Sequence, residues 1–139
     1  RVLVQTFNPE NPTIDAALGH AFERFAALEI PQREQFGYPP FRQLARIVIR
    51  GESEKQVEAF ARQIGDRLEE HIEKDQLDVT VFGPAAAPIT KLRGKYRFHL
   101  FLNSLHGSLL RSVIKQMTDQ IKTPDDMQWI VDIDPLDML

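Results

Sequence analysis

Residues 41–51 read Phe41-Arg42-Gln43-Leu44-Ala45-Arg46-Ile47-Val48-Ile49-Arg50-Gly51. Side chains alternate across an extended chain. Phe41, Ala45, Ile47 and Ile49 therefore share one face, and Arg42, Leu44, Arg46, Val48 and Arg50 share the other. Gly51 ends the strand. Ser53 with Gln56 then forms a capping-box pattern, and Val57, Phe60, Ala61, Ile64, Leu68 and Ile72 mark an amphipathic helix running to about Lys74.

Working toward the C-terminus, Leu77–Phe82 reads as a second strand closed by Gly83-Pro84. Residues 83–95 hold two glycines, two prolines and three basic residues, and are expected to form a long loop. Tyr96–Asn103 alternates again, with Phe98, Leu100 and Leu102 opposed to Arg97, His99, Phe101 and Asn103. Leu110, Val113, Ile114, Met117 and Ile121 give a helix after Ser108, residues 123–126 a turn, and Gln128–Ile133 a last strand with Trp129 on its core side. From residue 41 the order is β-α-β-β-α-β, an α+β, ferredoxin-like split βαβ domain. Both helices then lie on one sheet face and the first and third strands are central neighbours. The open face gathers Arg42, Arg46, Arg50, Arg97, His99 and Phe101. The three arginines of the first strand are expected to pair with acids of the last strand, such as Asp132 and Asp134.

Working toward the N-terminus, Gly37-Tyr38-Pro39-Pro40-Phe41 is a rigid, extended punctuator. Before it, Ile14, Leu18, Phe22 and Phe25 recur at helical spacing, with Thr13 as a possible N-cap. Pro31 either ends that helix or opens a second one over 32–36. Val2–Thr6 is a β-type run with nothing beside it to pair with, in a chain that opens without Met. A piece cut from a larger protein is the expectation.

The 139 residues suit one domain, and 42% apolar content is enough for a real core. Absence of cysteine excludes disulfides, cysteine-ligated zinc and thiol catalysis within the chain. No apolar run is long enough to span a membrane, and no signal peptide is read at the start. The net charge of −3 conceals a split. Residues 77–118 carry six basic side chains against Asp78 alone, whereas 119–139 carry six aspartates against Lys122. Local sums decide, since screening limits reach to about 10 Å.

No phosphate-binding GxxxxGK[ST], GxGxxG, GxSxG or HExxH pattern occurs. His20, His71, His99 and His106 lack ligand spacing and read as structural or solvated. Asp132, Asp134 and Asp137 offer a weak cation pattern, for which a solvated strand end is the plainer account. Nothing here makes a case for catalysis. The sharpest feature is Lys91-Leu92-Arg93-Gly94-Lys95-Tyr96-Arg97, in which cations can neutralise phosphates and Tyr96 can stack on an unpaired base. Arg97, His99 and Phe101 would extend that platform; a solvated loop with ordinary lysines is the competing account.

Several blocks occur in one order: VLVQTFNPENP, HAFERFAALE, YPPF, GPAAAPITKLRGKYRFHLFL and WIVDIDPLD. The ordered set resembles the C-terminal end of the PriA family, also called primosomal protein N′, over essentially the whole chain. The resemblance implies a modular ATP-dependent DNA helicase of replication restart, moving 3′ to 5′, with a zinc region upstream. By that resemblance residues 1–12 end the second helicase lobe and 13–139 form the C-terminal domain. Within it, 13–40 is a helical lead-in and linker, and 41–139 the ferredoxin-like core. No cofactor is expected in this segment; ATP with magnesium, and zinc, are implied for the parent chain. The implied partners are DNA (forks and single strands), single-strand-binding protein and other primosome proteins, in the bacterial cytoplasm and nucleoid. No membrane is involved, and the piece is expected to be a monomer or a dimer forced by its stray strand. Carried over by position, Lys91, Arg93, Lys95, Tyr96 and Arg97 are DNA-binding candidates, and Arg111 is a candidate for the acidic tail of single-strand-binding protein. A module docking helicase lobes or primosome proteins without touching nucleic acid is the alternative. A generic RNA-recognition module is disfavoured, because the third strand offers only Phe101 and a preceding Tyr96.

Overall fold

The computed structural model describes residues 3–135. Eight elements follow one another: α1 (Pro12–Leu18), α2 (Phe22–Phe36), β1 (Gln43–Gly51), α3 (Glu54–Asp75), β2 (Thr80–Leu92), β3 (Lys95–Ser104), α4 (Gly107–Gln120) and β4 (Met127–Ile133). They divide into two units, Arg1–Gly37 and Tyr38–Leu139.

The first unit is a helical hairpin. Asn11, rather than Thr13, caps α1: its Oδ1 accepts the Thr13 N–H at 2.8 Å, and Pro12 occupies the first helical turn, where a missing N–H costs nothing. The break between helices falls at Gly19-His20, where His20 adopts φ 52°, so the helical spacing of Ile14 to Phe25 spans two helices. Pro31 neither ends nor opens a helix; α2 runs through it. The expected strand is absent over Leu3–Thr6, and Val2 lies outside the described residues. No residue of α2 is buried, and Phe22, Leu28, Ile30 and Phe36 are exposed.

In the second unit four strands form one antiparallel sheet in the order β2-β3-β1-β4. This is the ferredoxin-like arrangement expected from the element order, with β1 and β3 central. Ala45, Ile47 and Ile49 of β1 and Phe98, Leu100 and Leu102 of β3 form the core face. Against it α3 sets Val57, Phe60, Ala61, Ile64 and Leu68, and α4 sets Leu110, Val113, Ile114 and Met117. Trp129 packs at the edge of this core. Ser53 precedes α3 as read, but its side chain makes no capping hydrogen bond.

The largest departure is the expected loop. Residues 83–92 are not a loop but the greater part of β2, which pairs with β3 as far as Leu92–Lys95. Two register shifts, at Phe82/Ala85 and Ala86/Lys91, absorb the prolines and small residues that argued against a strand. Gly83 sits in the first with φ +99°, where an added Cβ would lie 2.8 Å from the His99 carbonyl oxygen. Arg93 and Gly94, with φ 50° and 81°, make the two-residue turn; positive φ at both positions is what a right-twisted hairpin needs.

A second close approach is at Gly51. A Cβ there would approach Val57 Cγ2 to 2.9 Å and Met127 Cγ to 3.3 Å, locking the β1–α3 turn against β4. Gly51→Ala is expected to destabilise the fold by about 1–3 kcal/mol through overpacking, and Leu100→Ala by about 2–5 kcal/mol through a cavity. Urea titration of both variants measures this; a Leu100→Ala midpoint equal to wild type would contradict the core described.

Candidate nucleic-acid interface

The face of the sheet away from the helices is ordered by register. One row across the strands is Phe82, Phe101, Arg46 and Asp132; the next is Ala85, His99, Val48 and Ile130; the third is Arg97, Arg50 and Gln128. Beyond the third row the β2–β3 hairpin brings Leu92, Arg93 and Lys95 alongside. Together they wall a cavity of about 600 Å³ lined by Arg46, Arg50, Arg93, Lys95 and Arg97, with Val48, Ile130 and Asp132 among its other walls. Five cations face one carboxylate. Concave, one-signed surfaces of this kind concentrate field lines and attract polyanions.

The arginines of β1 and the residue before it are anchored, though mostly not to the acids expected. Arg42 donates from Nη1 to Asn103 Oδ1 at 2.9 Å and from Nη2 to Asp78 Oδ1 at 3.2 Å. Arg46 pairs with Asp132 at 3.4 Å, and Arg50 Nε donates to Gln128 Oε1 at 2.9 Å. Asp134 instead closes the end of the β1–β4 ladder: its N–H donates to the Leu44 carbonyl and its Oδ1 accepts from the Leu44 N–H. Among the described residues no group of three His, Asp or Glu side chains is placed to hold a metal ion; Asp137 lies outside them.

Lys91, Arg93, Lys95, Tyr96 and Arg97 do not form one patch. Lys91 pairs in register with Tyr96 and Leu92 with Lys95. Lys95 and Arg97 therefore share the open face with His99 and Phe101, while Lys91 and Tyr96 share the opposite face. There Lys91 Nζ sits 4.5 Å from the Tyr96 ring centroid and 3.4 Å from its hydroxyl, covering one face of the ring. Arg93, at the turn, and Lys95 make no ion pair among the described residues. Arg97 Nη1 reaches back to the Ile89 carbonyl at 3.5 Å. Arg111 is exposed on α4, in the helical layer, and belongs to neither patch.

Sequence reasoning missed Phe82. It stands beside Phe101 in register, is 53% exposed, and puts a second phenyl ring on the open face. Alternation with the core-facing Val81 was the available indication.

Residues 34–136 match the family model described as the primosomal protein N C-terminal domain. The chain belongs to that family. Replication restart protein PriA of Synechocystis sp. is 30% identical over 136 residues, which is 98% of this chain and 16% of that protein. The PriA of Treponema pallidum is 29% identical over 138 residues, 99% of this chain and 20% of the relative. That of Haemophilus influenzae is 26% identical over 138 residues, 99% and 18% respectively. This primosomal C-terminal domain thus spans no more than a fifth of those curated relatives. Among its described residues no helix is long and apolar enough to cross a membrane.

His99 is the titrating group at the centre of the domain's open face. Partial burial, then the positive charges of Arg46 and Arg97, hold its pKa below the ordinary 6.5. A histidine whose pKa is depressed on folding takes up its proton more readily in the unfolded chain, so stability falls as pH drops through about 6.5. His99→Gln is expected to flatten the pH dependence of the thermal midpoint below about pH 6.5, relative to wild type. Parallel wild-type and variant curves would remove His99 as the cause.

Proposed function

We propose that this domain is a DNA-contacting part of a replication restart protein, gripping forked or single-stranded DNA by its phosphates. The observation that carries this reading is the cation surplus of the cavity wall: Arg46, Arg50, Arg93, Lys95 and Arg97 against Asp132. Arg93 and Lys95 are the members best able to meet phosphates, because no carboxylate within the described residues holds them. The rigid ribbon beneath them reduces the ordering cost of presenting those charges. ATP-driven 3′ to 5′ unwinding, with its nucleotide and zinc sites, belongs on this reading to the rest of the parent protein.

Phosphate neutralisation has a signature that sequence-specific contacts lack. Removing one cation from a phosphate flattens the slope of log affinity against log salt by about 0.7–0.9. Fluorescence anisotropy with a forked DNA and a single strand, from about 50 to 200 mM salt, should show the slope of Arg93→Gln/Lys95→Gln reduced by about 1.4–1.8. Lys91→Gln, on the other face of the ribbon, should leave it nearly unchanged. An unaltered slope in the double variant would overturn the assignment.

A second, protein-facing contact rests on Arg111, which is exposed on α4 without an ion pair among the described residues. It would receive the acidic tail of single-strand-binding protein. Titration with an acidic C-terminal tail peptide should give saturable binding that Arg111→Ala weakens several-fold, while DNA binding is retained. Equal peptide affinity in the two proteins would rule Arg111 out.

A further inference from the structure

The open face holds more than cations. Phe82 and Phe101 are register partners on β2 and β3, and the His99 ring stands 4.8 Å from that of Phe101, inclined at 60°. Arg46 is the register partner of Phe101 on its other side. Three rings therefore occupy one end of a face whose other end carries Arg97, Lys95 and the hairpin. Phe101 lies four strand rises from Arg97, about 13 Å. Phe82, on the open side of the sheet, is 53% exposed and stands outside the apolar core.

We propose that Phe82 and Phe101, with His99, form a base-stacking platform on which the unpaired bases of a single DNA strand lie, while the strand's phosphates run along Arg46, Arg97 and Lys95. The proposal rests on the DNA reading above and adds what that reading lacks, a contact to bases rather than to backbone. It commits the face to a flexible, single-stranded occupant, because a base inside a duplex has no free face to offer. Charge complementarity selects the same occupant. The rings adjoin a wall of five cations and one acid, which matches a polyanion that also carries aromatic surfaces. Two further facts fit. With its pKa held below 6.5, His99 presents a neutral ring at neutral pH. Lys91 covers Tyr96 on the other face of the ribbon, so the rings of the open face are those of Phe82, Phe101 and His99.

The test separates bases from phosphates. The intact chain is titrated with three probes of equal length: oligo-dT, an abasic single strand with the same phosphates, and a blunt duplex. Wild type is expected to hold oligo-dT at least about fivefold more tightly than the abasic strand. Phe82→Ala should lose about fivefold to a hundredfold on oligo-dT, as deletion of one stacking ring does, with the abasic affinity and the salt slope unchanged. Phe82→Trp should keep the preference and Phe82→Leu should lose it, which an effect of bulk alone would not produce. Phe82 is solvent-facing, so a thermal midpoint close to wild type is expected for each variant and is measured alongside.

Equal affinity for oligo-dT and the abasic strand, with a normal salt slope, would overturn the platform while leaving the phosphate reading intact. No salt-dependent binding to any probe would overturn both. Affinity for an acidic peptide that Phe82→Ala reduces, without a change on oligo-dT, would assign the face to protein and overturn the platform as well.

Discussion

Everything on the open face depends on the register in which β1 is held between β3 and β4. Its core residues Ala45, Ile47 and Ile49 are completely buried, so sliding the strand by one position would send Arg46 and Arg50 into the apolar layer and three aliphatic side chains out of it. Burial of ionised guanidinium groups costs far more than any single contact returns. The apolar pattern of β1 thus fixes the position of Arg46 and Arg50 as firmly as it fixes Ile47. Gly51 fixes the phase at one end by fitting against Val57 and Met127. At the other end Asp134 does so by bonding to Leu44 in both directions.

The hairpin extends that order beyond the sheet. Without pairing, residues 83–95, with two prolines, three alanines and three cations, have little to bury and would be mobile. Paired to β3 through Leu92–Lys95, the segment becomes a ribbon whose two faces are chemically distinct. The face shared with Arg97 continues the open surface. The other face turns Lys91 onto Tyr96. The turn forces Arg93 to φ 50°, a conformation that costs a non-glycine residue about 1 kcal/mol, and Gly94 shares the turn at φ 81°.

The architecture was legible because its strongest signals are periodic: β1, α3, β3 and α4 each carry an unbroken apolar stripe, and those four elements define the ferredoxin-like order. Features set by single residues were less legible. Pro31 looks like a helix boundary, yet α2 passes through it, whereas Gly19-His20, with less emphatic chemistry, is where the chain turns. β2 carries no alternation after Phe82, since its two register shifts reset the phase twice, and composition there imitates a loop. The same shifts hid how the candidate residues divide. Adjacent positions in Lys91–Arg97 look like one patch, and only the cross-strand partners reveal that Lys91 and Tyr96 face one way and Lys95 and Arg97 the other. Alternation with Val81 places Phe82 on the open face, but its neighbour there, Phe101, is nineteen residues away, and their adjacency exists only in the pairing.

The net charge of −3 is compatible with the proposed polyanion-binding face, because the acid surplus of α3 and the cations of the cavity wall lie on opposite sides of the sheet. Along α3, seven acids (Glu54, Glu58, Asp66, Glu69, Glu70, Glu73 and Asp75) outnumber four bases (Lys55, Arg62, Arg67 and Lys74). That helix packs on the core face of the sheet, with the apolar layer between it and the cations of the opposite face. Salt screens exposed charges beyond about 8–10 Å, so the acids of α3 subtract little from the field at Arg93 and Lys95. Total charge is a poor guide here: it sums a surplus of acids on one side of the sheet with a surplus of cations on the other.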